Sequence, residues 1–384
     1  MRFLECKGTA HEIGRQQGES LRDWIQQRWE QDVQPSLANA VAKKPGIVPR
    51  IAKALDKSVA YMNANQPEIV EEIRGIGEGA KMKFDDALML STYNSLLFAV
   101  GGQCLVEQLS DGNGCSALAF ATSSSGPFLF KTYDPFGNKE INSPAKRREK
   151  AEAENRHLFV LKASYASGAS MLGLRIAGSV WTETGVNHHG LGFAAASLHP
   201  RLYPQQAAAV PQHCIGTIAI NGCRMTAEVR ELMKRTPVFG KGYAMAFADK
   251  SGDCVGVEKT ANFTGFNEAK DGLAFQTNHL RSEAMVKLGR EQDPQFWSGS
   301  YHKNSSTRVK RIEERLPRWK DKIRLDWLVN DLFHAGKPGD LIQNSTEQCQ
   351  YWITTWGGLA FPRTGELWIA EGLPEEKKFQ KWKL

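Results

Sequence analysis

The spacing of apolar residues changes character about one third of the way along the chain. Up to residue 100 the apolar positions recur every three or four residues. Leu21, Trp24, Ile25 and Trp29 form one stripe, Ile51, Leu55, Val59 and Met62 a second, and Ile69, Ile73, Ile76 and Ala80 a third. This period predicts amphipathic helices, after a short strand at Arg2–Cys6 and a first helix start near Glu12. Pro67 marks a helix start, and Phe84-Asp85-Asp86 caps a helix running through Leu88, Leu90, Leu96 and Leu97. Gly14 and Gly18 lie one turn apart, and Gly75, Gly77 and Gly79 thin the third stripe. Glycine costs helix stability, so these bare faces predict close approach of another element. No strand precedes Gly75–Gly79 and no Lys-Ser/Thr follows, so it is not a phosphate loop.

From residue 115 the pattern becomes short apolar runs separated by turn residues, the signature of hairpins. Ala117–Ala121 faces a run opening at Phe128. Leu158–Leu161, Ser170–Ile176, Ser179–Thr182 and Leu191–Ala196 read as a meander. Tyr243–Ala248 and Cys254–Glu258 form the clearest hairpin, Leu273–Phe275 is a further strand, and Trp352–Trp356 with Glu366–Ala370 closes the chain. Helices are expected over 213–235, with Thr226 as a cap, over Ser305–Arg315, and over Asp326–His334, ended by Gly336 and Pro338. The charged stretch Gly137–Arg156 is expected to be an exposed excursion, and Asp111–Gly114 an exposed, flexible connection. Helices first and between groups of hairpins indicate an α+β layered fold rather than a doubly wound one.

Composition narrows the picture. The chain has 384 residues, 41% of them hydrophobic, enough for one large domain or two small ones with a sizeable core. No run of about 18 apolar residues suggests a membrane span, and Met1–Lys7 lacks a signal-peptide apolar region. The expectation is a cytoplasmic protein without a membrane partner. Seven cysteines are scattered with no CxxC pair, which points to reduced thiols rather than a disulfide framework or zinc site. The net charge of +7 is mild, and Lys146–Lys150 and Lys377–Lys383 mix basic residues with acids or aromatics. They read as solvated faces, so no nucleic-acid partner is expected.

The candidate chemistry centres on Cys115, between a Gly/Asn/Asp cluster and an apolar strand. If the turn centres on Ser124-Ser125, Cys115 and Asp134 are expected to sit opposite each other, with Cβ atoms roughly 5 Å apart. A thiol needs a base, and most such enzymes use His. A Cys that begins a chain can instead use its own α-amine, with an ordinary pKa of roughly 7.7–8.0. This requires cleavage of the Gly114-Cys115 bond. The alternative is a small buried hydrophobe, the usual role of a free cysteine. Asn278 follows a strand, where its amide can serve an oxyanion or cap the strand end. His279, its neighbour, reads as structural. Asn187 lies in a turn that suits Asn. His188-His189 lacks a third ligand at useful spacing, so no metal is expected, and no cofactor. Arg308 heads a charged helix and is a candidate to reach the site or bind a substrate carboxylate.

Together these segments resemble the acyl-coenzyme A:6-aminopenicillanic acid acyltransferase family, also called peptidase family C45. Gly8–Gly18 resembles the family's opening segment and Glu72–Gly79 its second helical motif. Asn113-Gly114-Cys115-Ser116 is similar to its cleavage site, Tyr133-Asp134 to its Trp-Asp pattern, and Gln276-Thr277-Asn278-His279 to its Thr-Asn-His motif. The resemblance implies a self-cleaving N-terminal nucleophile hydrolase with a four-layer αββα sandwich of antiparallel sheets. Residues 1–114 and 115–384 would be its two subunits. It implies cleavage at Gly114-Cys115, then a cysteine amidohydrolase or acyltransferase that forms an acyl-Cys115 intermediate. Its substrate would be a small N-acyl amide or an acyl-CoA-like thioester. Asp134 would orient or tune the new amine, Asn278 would serve the oxyanion, and Asn187, Tyr133 and Arg308 would line the site. The reading allows a homo-oligomer. Thr132-Tyr133-Asp134-Pro135 departs from the usual Asn-Trp-Asp-aromatic run, and Ser116 stands where Thr is common. Two readings compete with it: an uncleaved internal-Cys hydrolase using His279, and a non-catalytic scaffold of the same fold.

Overall fold

The hairpin segments become two sheets, and helices lie against the outer face of each. The computed structural model describes residues 1–101, 113–198, 208–261, 263–319, 324–335, 337, 339–344 and 351–384. Asp111 and Gly112 of the expected connection lie outside the described residues, as do Gly336 and Pro338. In chain order the strands are Arg2–Gly8 (β1), Asn113–Phe120 (β2), Phe128–Pro135 (β3), Leu158–Tyr165 (β4), Ser170–Ile176 (β5), Thr182–Asn187 (β6), Leu191–Ser197 (β7), Val210–Pro211 (β8), Val238–Phe239 (β9), Tyr243–Asp249 (β10), Cys254–Lys259 (β11), Thr264–Glu268 (β12), Leu273–Gln276 (β13), Trp356–Phe361 (β14), Glu366–Glu371 (β15) and Phe379–Lys383 (β16).

One sheet runs β1-β4-β5-β6-β7-β10-β11-β12 and the other β13-β2-β3-β14-β15-β16; β8 and β9 form a short separate pair. Apart from the parallel pair β1 and β4, the two large sheets are antiparallel. Alternation along the strands sorts the side chains into layers. Ala194, Ala196, Ala244, Ala246 and Ala248 of the larger sheet meet Cys115, Ala117 and Ala119 of the smaller one. Small side chains between the sheets let them pack closely. Larger ones, Phe193, Met245 and Phe247, turn outward under the N-terminal helices. On the far side, Leu118, Phe120, Phe128 and Phe130 pack beneath Ile312, Leu316 and Leu328 of the helices Ser300–Trp319 and Leu325–Leu332. The result is the four-layer αββα sandwich.

The glycine stripes do bring helices together. A Cβ on Gly14 would lie 2.0 Å from the Glu72 carbonyl oxygen, and one on Gly75 would lie 2.0 Å from that of His11. The helices Ala10–Ser20 and Pro67–Ala80 therefore touch backbone to backbone. Buried Glu72 ties this pair to the sheet, accepting hydrogen bonds from Gln17 (2.8 Å), Tyr165 (3.1 Å) and Arg175. Removing one partner of such a buried ion pair costs about 3–5 kcal/mol.

Three local expectations are corrected. Gly137–Arg156 is not wholly an exposed excursion: Pro144–Asn155 is a helix, and it buries Arg147, Ala151 and Asn155. Its inner face is largely polar because Arg147 pairs with Glu375 at 2.6 Å and Asn155 donates to the Thr355 carbonyl at 2.8 Å. Thr226 is the first residue of the helix Thr226–Arg235 rather than its cap, and its hydroxyl donates to Asp249 at 3.0 Å. The helix expected to begin at Ser305 begins at Ser300, which places Ser305 and Arg308 within it. No helix among the described residues is long and apolar enough to cross a membrane.

Candidate active site

β2 and β3 pair with Cys115 opposite Tyr133, not Asp134. Seven residues, Ala121–Pro127, separate the last pair, Phe120 and Phe128, so the register differs by one residue from that of an even turn. One residue of register moves a side chain to the other face. Asp134 consequently faces the outer helix layer with Thr132 and Ser116, while Cys115 faces the space between the sheets. Gly114 is the residue opposite Asp134. A Cβ on Gly114 would lie 3.3 Å from both Asp134 Cβ and the Trp352 ring, so the bond before Cys115 is held at close quarters.

On the inter-sheet face Cys115 is buried, and the Lys131 ammonium stands beside its thiol. Lys131 is 1% exposed and pairs with Glu183 of β6 at 3.4 Å. It also stands over the Trp356 ring at 5.4 Å. Burial pushes the Cys115 thiol up; Lys131 works against that rise, while Glu183 and Asp134 add to it. Burial alone would push the Lys131 ammonium down, but the charges of Cys115, Glu183 and Asp134 hold it above its ordinary range. Burial also raises Glu183, against the pull of Lys131. Tyr133 stacks on Trp356 with centroids 6.2 Å apart.

The main chain of Cys115 is held from the opposite side. Its N–H donates to Asn278 Oδ1 at 2.9 Å. Arg308, 1% exposed, donates from Nη1 to the Cys115 carbonyl and to Ser116 Oγ (3.1 Å), and from Nη2 to Asn278 Oδ1 (2.6 Å). Asn278 Nδ2 donates to the Ser197 carbonyl at 2.9 Å, and its backbone N–H to Ser305 Oγ at 2.8 Å. Asp134 accepts from Thr354 Oγ1 (2.6 Å) and Thr132 Oγ1 (3.1 Å). Burial pushes its carboxyl up to about 6, despite the opposing pull of Arg308 and these hydroxyls.

Of the residues singled out in the sequence, Cys115, Asp134, Asn278 and Arg308 form one group, with Tyr133 beside the thiol. Asn187 stands apart, on the helix side of the larger sheet. Its Nδ2 donates to the carbonyls of Ile220 and Cys223, both at 2.8 Å, and its Oδ1 accepts from the N–H groups of His189 and Leu191. That amide anchors a turn to the end of the helix Cys214–Gly222. His279 bonds through Nδ1 to Ser305 Oγ at 2.7 Å, and burial pushes it down to about 3. Lys131 and Glu183 were missed in the sequence. The available signal was a lysine directly after the apolar run Phe128–Phe130, on the same strand face as Tyr133. Among the described residues no group of three or more His, Cys, Asp and Glu is placed to hold a metal.

Tyr133, Trp181, Glu183 and Trp356 line a cavity of about 510 Å³ that extends beneath the N-terminal helices. The Trp181 ring stacks on His213 at 3.9 Å and donates from Nε1 to Tyr243 at 2.5 Å, which fixes one aromatic wall.

The sequence profile of the acyl-coenzyme A:6-aminopenicillanic acid acyl-transferase family matches residues 147–340. No curated protein matches the sequence. Among solved structures, a mutant conjugated bile acid hydrolase from Clostridium perfringens is 11% identical with a TM-score of 0.47, over 70% of this chain and 92% of that one. The N-acylethanolamine-hydrolyzing acid amidase ortholog of Caenorhabditis elegans is 12% identical with a TM-score of 0.41, over 70% of this chain and 100% of that one. Penicillin V acylase from Agrobacterium tumefaciens is 10% identical with a TM-score of 0.37, over 67% and 82%.

Proposed function

Because the chain belongs to the acyl-coenzyme A:6-aminopenicillanic acid acyl-transferase family, we propose that it is a self-cleaving cysteine amidohydrolase or acyltransferase acting on small N-acyl compounds. The single observation that carries this reading is the hold on Cys115. Side chains bind both its N–H and its carbonyl, while a cation stands beside its thiol.

The first stage is processing. The Cys115 thiol gives up its proton and attacks the Gly114 carbonyl carbon. The Gly114-Cys115 C–N bond breaks, and the nitrogen takes a proton and becomes the α-amine of Cys115. Water hydrolyses the resulting thioester, leaving a Gly114 carboxylate and a free thiol. Residues 1–114 and 115–384 then remain as two subunits of one αββα domain.

The second stage is turnover. The α-amine accepts the thiol proton, a task its ordinary pKa suits near neutral pH. The Lys131 ammonium stabilises the thiolate. The thiolate attacks the acyl carbonyl of an amide, or of a thioester. Asn278 Oδ1 anchors the α-amine. Asn278 Nδ2, which donates to the Ser197 carbonyl in the uncut chain, is the donor offered to the oxyanion along with backbone N–H groups. Asp134 sets the protonation of the group from the far face of β3. As the tetrahedral intermediate collapses, the leaving amine takes the proton and Cys115 keeps the acyl group as a thioester. Water then completes hydrolysis, the leading outcome, or an amine completes transfer.

The intact mass of freshly purified protein tests this reading beside Cys115→Ala. Cleavage divides 384 residues and 42.7 kDa in the proportion 114:270, which gives pieces of roughly 13 and 30 kDa if Cys115 becomes an N-terminal nucleophile. One uncut band in both proteins after long incubation removes the free amine from the mechanism.

A further inference from the structure

Alongside its apolar face, the helix Ser300–Trp319 carries a polar stripe. Asn304, Arg308, Arg311 and Arg315 recur at intervals of four, three and four, which sets them on one side of the helix. Asn304, Arg308 and Arg315 are buried. Burying amides and guanidinium groups is costly unless they are hydrogen-bonded, and this stripe is bonded at both ends. At one end Arg308 holds the Cys115 carbonyl, Ser116 and Asn278, and its Nε donates to Asn304 Oδ1 at 3.0 Å. At the other end Arg315 and Arg311 donate to the buried Asp340 carboxylate at 2.5 and 3.4 Å.

Buried Gln343 closes the ring. Its Oε1 accepts from Asn304 Nδ2 at 3.2 Å, and its Nε2 donates to the Asp340 carbonyl. Its backbone N–H donates to Thr354 Oγ1 at 2.8 Å, and its carbonyl accepts from the Thr354 N–H at 2.9 Å. The Thr354 hydroxyl donates onward to Asp134 at 2.6 Å. Gln343 is therefore tied in two directions. Through Asn304 its side chain reaches Arg308, the cation on the Cys115 carbonyl. Through Thr354 its backbone reaches Asp134, the carboxylate opposite Gly114. These two charged groups stand on either side of the Gly114-Cys115 bond.

We propose that Asn304 and Gln343 are positioning residues for self-cleavage. They fix the Arg308 guanidinium across the Cys115 carbonyl and tie it to Asp134, so that the thiol meets the Gly114 carbonyl in one geometry. The role rests on the catalytic reading above, but the hold on Arg308 can be measured without cleavage. An apolar side chain at 304 takes away the acceptor of Arg308 Nε and lets the guanidinium swing from the Cys115 carbonyl. A displacement of about 1 Å at a reacting centre slows a reaction by about 100-fold.

The test makes the full chain by cell-free synthesis and follows cleavage by intact mass, with circular dichroism to check the fold. Asn304→Leu and Gln343→Met should each slow cleavage by about 10- to 100-fold. The double variant should be no slower than the slower single, because both act through Arg308. Asn304→Asp keeps an oxygen for Arg308 Nε and should return to within about threefold of wild type. A role in folding alone would give no such rescue. Wild-type rates in both single variants overturn the proposal, as do additive losses in the double variant or an Asn304→Asp chain as slow as Asn304→Leu. A second measurement needs neither variant to fold. In uncut Cys115→Ala, the Arg308 Nε–H should exchange with solvent far more slowly than those of exposed arginines, read by nitrogen-15 NMR. Fast exchange overturns the proposal. Equal cleavage in wild type and both variants would sink the positioning role and leave the catalytic reading standing. A wild-type chain that never cleaves, with the Nε–H protected, would sink the catalytic reading and this role with it.

Discussion

The Cys115 N–H donates to Asn278 Oδ1 at 2.9 Å, joining the start of the smaller sheet's central hairpin to a residue 163 positions away. The same oxygen accepts from Arg308 at 2.6 Å. Asn278→Ala would leave both donors without this acceptor, and an unmet buried donor costs about 2 kcal/mol. The expected result is a folded but destabilised chain that stays uncut. Urea unfolding and intact mass measure the two effects; cleavage at the wild-type rate would contradict the role given to Asn278.

Lys131 and Glu183 act on the thiol with opposite sign. Lys131→Met removes the cation that counters the buried thiol's raised pKa, so the thiolate becomes scarcer. Iodoacetamide labelling of Cys115 near pH 7.5 should slow by about tenfold or more, with its pH profile moved upward. Glu183→Gln removes a charge that disfavours the thiolate and should move the profile downward. Parallel shifts in the two variants would refute the arrangement.

Asp134 should make stability depend on pH in an unusual direction for a carboxylate. Its folded pKa is raised to about 6 from 3.8. Its contribution is therefore fully present below the unfolded pKa and lost as pH rises through the folded one. Two units correspond to about 3 kcal/mol lost between about pH 4 and pH 6. Asp134→Asn has no such titration. The difference between wild type and Asp134→Asn in denaturant midpoints should shift against the wild type across that window and level off above it. A difference that stays flat would show that the carboxyl titrates at its ordinary value.

The helix contact at Gly75 can be probed without touching the site. A Cβ there meets the His11 carbonyl oxygen at 2.0 Å. Gly75→Ala must force the helices Ala10–Ser20 and Pro67–Ala80 apart, at a cost of about 3 kcal/mol. Thermal melting measures it. A melting temperature equal to wild type would mean the helices have room to part.

The sequence by itself determined the helical first third and most of the hairpins after it, because periods of 3.6 and 2 are local properties of the chain. It also marked Cys115, Asn278 and Asp134, through residue types that chemistry at a strand end requires, and through motifs in the order the family carries. Tertiary structure decided which faces those residues occupy. An odd seven-residue turn put Tyr133, not Asp134, opposite Cys115. Packing of one sheet on the other brought Glu183 to Lys131, a pairing between strands of different sheets that no local pattern encodes. The charged helix Pro144–Asn155 was missed because its inner face is satisfied by partners 200 and 228 residues away. Asn187 has the composition of a site residue, yet its amide is taken up by the end of a helix. Side-chain type is written in the sequence, but register and sheet-on-sheet packing are set by distant contacts, and those decide what each side chain faces.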